Sequence, residues 1–152
     1  MANARAVSAR DPSAAATGGS RPDPAPQRPG ADKPGEIEYL AKICEPDIGV
    51  ITWIGEGHLN GFGSVEGVAR EKAKLFEALK PEKGVAVYNA ATPCRHILEQ
   101  AVRCRTMTFE VGEEADVIAE NIFRDKDSCA GFDIVHGPVR TYVQLAVPGL
   151  HQ

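Results

Sequence analysis

The stretch GHLNGFGSVEGVAREKAKLF, residues 57–76, sets His58 ahead of a glycine-rich turn and places Lys72 and Lys74 on the segment that follows. A lysine held in a dry site loses its proton more readily, and its free amine can then do chemistry. Helical phase decides which lysine is in such a site. Ser64 is a good N-cap, Glu66 sits in the first turn where the helix dipole favours an acid, and Pro81 limits the far end, so the spacing predicts a helix over 65–79. Val65, Val68, Ala69, Lys72, Leu75, Phe76 and Leu79 fall on one face; Arg70, Glu71, Lys74 and Glu77 fall on the other. Lys74 is therefore expected outside and Lys72 within the apolar stripe. Phase alone leaves two readings of Lys72 open, an ammonium that snorkels to water from the edge of the contact or an amine held dry.

The elements that must position these residues alternate. Pro34 fits the first turn of a helix to about residue 44, with Ile37, Leu40, Ala41 and Cys44 on one side. IGVITWI (48–54) is a continuous apolar run, as in a strand buried on both faces, and GVAVYN (84–89) reads as a second such strand. Thr92 as cap and Pro93 at the first helical position open a helix to about residue 102, and RTMTFEV supplies a third strand. This order predicts an α/β fold, a parallel sheet with flanking helices. ADVIAENIF, AGFDIVH and VRTYVQLAV, joined by RDKDSC and GP, then alternate with period two and predict a small antiparallel sheet. In open α/β sheets ligands sit at the carboxyl ends of the strands, so His58 and Asn89, each just past a strand, are expected at one rim.

The bulk numbers set limits on function. A chain of 152 residues with a formal net charge of -4 is no general binder of nucleic acid, and no apolar run is long enough to span a bilayer. Cys44, Cys94, Cys104 and Cys129 have no C-x-x-C spacing and no hydrophobic leader precedes them, which fits ordinary thiols in a reducing cytoplasm. A zinc site from these cysteines with His58 or His96 would lack paired ligands. Residues 1–29 hold eight Ala, five Pro and four Arg, too little apolar surface to offset ordering, so this segment is expected to be disordered. It could be a linker, a leader, although its prolines count against that, or a stretch read in the wrong frame. GFGSVEG is not a dinucleotide fingerprint, because its third glycine falls one position late, and no G-x-x-x-x-G-K-[ST] phosphate loop occurs.

Four stretches together, GADKPGEIEYLAKICEPDIGVIT, GHLNGFGSVEGVAREKAKLF, VAVYNAATP and VPGLHQ, resemble the successive motifs of the central ATP-binding domain of the Mur ligases, over residues 30–152. Within that family the pattern is similar to the members that add D-Ala-D-Ala to UDP-MurNAc-tripeptide in peptidoglycan synthesis. The resemblance implies that His58 binds Mg2+ and that Lys72 carries a carbamate, whose hard oxygens suit that ion. It implies that Asn89 lies near the adenine of ATP and His151 close to the nucleotide pocket, with Lys74 a solvated surface charge. Arg28 and Pro29 stand where the family usually has an acid and a methionine. Asn60 replaces a usual glutamate, Ala91 a usual aspartate, and Leu150 with Gln152 the arginine and asparagine that flank the histidine. The chain is thus expected to be a fragment of a cytoplasmic ATP-dependent amide ligase, inactive alone for want of the phosphate cradle. Two rivals stand beside it: a non-catalytic module that pairs with a complementary ligase fragment, and another amide ligase of the same superfamily, of the folylpolyglutamate type.

Overall fold

A computed structural model describes residues 4–7, 34–56, 59–112 and 114–148. These fall into two compact units. One holds the described residues up to Tyr88 together with Thr92–Thr106; the other holds Asn89–Ala91 and the described residues from Met107 onward.

In the first unit the elements are β1 (Ala4–Val7), α1 (Glu36–Cys44), β2 (Ile48–Ile51), α2 (Leu59–Phe62), α3 (Val65–Glu77), β3 (Val85–Asn89, its last residue opening the second unit) and α4 (Arg95–Ala101). β2 and β3 are parallel, with Ile48 opposite Val85 and Ile51 opposite Tyr88. α3 forms where the spacing predicts it: the Ser64 hydroxyl accepts from the Gly67 amide at 3.1 Å, capping the first turn. Its apolar stripe buries Val68, Ala69, Leu75 and Phe76 in a core shared with Ile37 and Ala41 of α1, Ile51, Ala86 and Tyr88 of the strands, and Leu98 of α4. Gly49 lets this helix close on β2, since a Cβ there would stand 3.1 Å from Leu75 Cγ and 3.3 Å from Phe76 Cδ1.

Three details depart from the sequence expectation. β2 ends at Ile51, short of residue 54, because side chains take over the backbone groups that a longer ladder would have used. The Ile54 amide donates to the Thr92 hydroxyl at 2.7 Å, and the Trp53 carbonyl accepts from the Lys72 amine at 3.1 Å. Thr92 is consequently not the cap of α4. That helix starts at Arg95 behind Cys94, which has a left-handed φ of 58° and no side-chain cap bond. Lastly, Ala4–Val7, inside the stretch expected to be disordered, pairs antiparallel with β2, Ala4 opposite Ile51 and Val7 opposite Ile48. The free edge of β2 offers unpaired N–H and C=O groups to any extended segment, whatever its side chains.

In the second unit the strand order is β4 (Arg105–Glu110, its first two residues closing the first unit), β5 (Val117–Arg124), β6 (Cys129–His136) and β7 (Val139–Pro148). The three last strands form the antiparallel meander that their alternation predicts, with Ile118 opposite Val135 and Val135 opposite Arg140. β4 and β5 are parallel instead, Phe109 opposite Val117, although only a short loop joins them. Asp116 folds that loop back: its carboxylate accepts from the Thr108 amide at 2.7 Å and from the Thr108 hydroxyl at 2.8 Å.

Candidate functional site

Lys72 is the described residue at which the site begins. The phase of α3 carries it into the apolar stripe, and it is only 6% exposed. Its amine has one hydrogen-bond acceptor, the Trp53 carbonyl just beyond the carboxyl end of β2, and among the described residues no carboxylate is paired with it. Burial disfavours the ammonium and lowers the Lys72 pKa to about 8. A substantial share of the amine is therefore uncharged in mildly alkaline solution, a property ordinary surface lysines lack. The snorkelling alternative is not what the fold does, because the side chain ends at a backbone carbonyl inside the unit.

Glu71 differs from its expected place on the outer face. Glu71 is 4% exposed, and its Oε1 accepts from the amides of Gly35 at 2.8 Å and Ile37 at 3.4 Å, at the start of α1. Gly35, with a φ of 91°, gives α1 no side-chain cap of its own, so Glu71 supplies from another helix the acceptor that the first turn needs. Lys74 keeps an outer, partly exposed place and is ion-paired there. It donates to Glu71 Oε2 at 2.7 Å, and this bond is the chief reason its pKa is raised. The spacing held a trace of this: Glu71 lies three residues after Val68 and four before Leu75, at the margin of the stripe.

Asn89, expected just past a strand, is the last residue of β3. Its Oδ1 accepts from the Ala91 amide at 2.8 Å, an Asx turn that fixes the side chain where the chain leaves the strand. His58 and His151 lie outside the described residues. Among the described residues no cluster of three or more His, Cys, Asp or Glu is placed to hold a metal ion, and Cys44, Cys94, Cys104 and Cys129 are all free thiols. What sequence reading missed is the use of Thr92 and Trp53, for which helical and strand periods carry no signal: one hydroxyl and one carbonyl hold the two loops that follow β2 and β3.

A buried lysine on the helix after β2, beside the carboxyl end of a parallel strand pair, is the arrangement in which comparison with known proteins gives a definite result. The Mur ligase middle domain matches residues 30–152, and the chain belongs to that family. A UDP-N-acetylmuramoyl-tripeptide--D-alanyl-D-alanine ligase of Mycobacterium bovis is 33% identical over 118 residues, 78% of this chain and 23% of that one. The Bacillus subtilis enzyme of the same name is 35% identical over 98 residues, 64% of this chain and 21% of that one. Among solved structures, MurF from Acinetobacter baumannii superposes with a TM-score of 0.71 at 30% identity, covering 79% of this chain and 26% of the other. MurF from Thermotoga maritima in complex with ADP shares the fold, with a TM-score of 0.64 at 23% identity, over 75% of this chain and 26% of that one. The chain thus spans 21% to 26% of the length of these relatives.

Proposed function

We propose that these residues form part of the nucleotide site of an ATP-dependent amide ligase that joins D-Ala-D-Ala to UDP-MurNAc-tripeptide. The observation that carries the reading is the Lys72 amine, buried, unpaired with any described carboxylate and held at a carbonyl beyond β2. The names of the relatives support the substrate pair, and an ADP complex of one neighbour supports the nucleotide. The reaction belongs to the cytoplasm, where ATP is made available; among the described residues no helix is long and apolar enough to cross a membrane.

The role that the family resemblance implies for Lys72, a carbamate that holds a metal ion, is compatible with its protonation. An ammonium repels a cation, but the uncharged amine attacks carbon dioxide, forms an N–C bond and releases a proton, leaving a carbamate with two hard oxygens. Lys72 so modified, with His58, would hold Mg2+, which when bound stabilises charge on transferring phosphoryl oxygens. Asn89, whose Oδ1 is taken up in its Asx turn, would offer its NH2 group as a donor to the adenine, and His151 would lie beside the nucleotide. In the reaction the tripeptide carboxylate attacks the γ-phosphorus of ATP and ADP leaves. The D-Ala-D-Ala amine then attacks the acyl phosphate carbonyl, expelling phosphate and forming the amide. Within this chain the residues given above bind and orient; the carboxylate and the amine are brought by the rest of the intact ligase.

The test uses an intact ligase that carries these residues, assayed for ATP turnover with both substrates, with and without bicarbonate. Lys72→Ala is expected to lower turnover by about a hundredfold or more, as loss of a group acting on transition-state charge does. Lys74→Ala is expected to retain most of it. Bicarbonate-sensitive turnover that survives Lys72→Ala and falls with Lys74→Ala would refute the assignment.

A further inference from the structure

Glu71 and Lys72 are consecutive on α3 and both are buried, yet different parts of the unit hold them. The Glu71 carboxylate reaches α1, accepting from the Gly35 and Ile37 amides at 2.8 and 3.4 Å, while its other oxygen is held by Lys74 at 2.7 Å. The Lys72 amine reaches the Trp53 carbonyl at 3.1 Å. Successive residues of a helix are turned by about 100° from one another, so these bonds grip α3 from two directions and fix its rotation about its own axis. We infer that Glu71 is a positioning residue: by clamping α3 to the start of α1 it sets the rotation that delivers the Lys72 amine to the Trp53 carbonyl. That Lys72 is a group worth positioning rests on the function proposed above; the clamp itself does not.

Two features make the clamp more than a helix cap. Gly35 and Ile37 take their acceptor from α3 because Gly35 contributes none, so loss of Glu71 removes both the cap and the hydrogen-bonded tie between the helices, leaving only their apolar contact. Lys74 holds the second oxygen, which keeps the first one aimed at α1 and away from the site lysine.

The experiment uses the whole 152-residue chain labelled with 15N and 13C. It follows amide exchange at Gly35 and Ile37 together with the NOE between the Lys72 ε protons and the Trp53 α proton. Glu71→Ala is expected to speed exchange at both amides by about tenfold or more and to abolish the NOE, while contacts between Phe76 and Tyr88 persist. Glu71→Gln, which keeps an oxygen acceptor, is expected to retain both readouts. Fast exchange in Glu71→Ala with the Lys72–Trp53 NOE intact would overturn the inference, for Glu71 would then only cap α1. Should Glu71→Ala not fold, Glu71→Gln and Lys74→Met decide: amide protection and the NOE must be kept or lost together in each, and either lost alone overturns it. The functional reading of Lys72 fails separately, by full turnover in the Lys72→Ala ligase.

Discussion

The Lys72 amine donates to the Trp53 carbonyl at 3.1 Å, and this one neutral acceptor is all that the described fold sets against a buried lysine's charge. Burial lowers its pKa to about 8 from 10.5, so the folded chain binds fewer protons here than the unfolded chain between those values. Stability must then rise with pH across that window, and the penalty is fully present below it. Lys72→Met, which fills the same volume without charge, is expected to be more stable than the parent near neutral pH. Its advantage should shrink by about 2 kcal/mol between about pH 7 and about pH 9.5, from the usual 1.36 kcal/mol per pKa unit. Urea unfolding of both proteins at the two pH values checks this; an advantage that is equal at both would show that Lys72 carries no such penalty.

Thr92 is buried, and its hydroxyl accepts the Ile54 amide at 2.7 Å. Thr92→Val keeps the shape and leaves that amide without an acceptor in a dry place, at a cost of about 1–3 kcal/mol. Thr92→Ser keeps the oxygen and loses one methyl group, which should cost under about 1 kcal/mol. Chemical denaturation of the pair separates the hydrogen bond from packing, and equal losses in the two variants would rule the bond out as the cause.

These residues also mark where sequence reading reached and where it stopped. The capped start and apolar stripe of α3, the parallel β2 and β3, and the β5 to β7 meander were legible because each obeys a local rule, of cap, period or alternation. Lys72 was legible for the same reason, since the stripe itself contains it. Glu71 was not, because its acceptor role belongs to the amides of Gly35 and Ile37, 36 and 34 residues away along the chain. Thr92 misled because a threonine before a proline is a good local cap; the tertiary partner at Ile54 won the hydroxyl instead.

Gly67 sets helix propensity against packing. In the first turn of α3, Gly67→Ala should gain up to about 1 kcal/mol from propensity. A Cβ at that position would stand 2.2 Å from the backbone oxygen of Phe62, at the end of α2, and main chain cannot swing aside as a side chain can. Overpacking of this kind costs about 1–3 kcal/mol, so the net effect is expected to be destabilising. A thermal melt decides the sign, and a raised midpoint would mean that α2 yields without cost.

Trp53 is the only tryptophan of the chain, is 42% exposed and lends its carbonyl to Lys72, so its emission reports on that amine. If Lys72 takes up carbon dioxide, the amine ceases to be a cationic donor to that carbonyl and acquires a negative charge beside the indole's own backbone. Only the uncharged amine reacts, so a bicarbonate-dependent change in Trp53 fluorescence should grow as pH rises through about 8. Lys72→Met should abolish it and Lys74→Met should leave it, since Lys74 is bound to Glu71 and its pKa is raised. The readout needs neither nucleotide nor metal. A bicarbonate response that persists in Lys72→Met would place the carbamate elsewhere, and a parent chain that gives none at any pH would remove the chemical basis for Lys72 as a ligand.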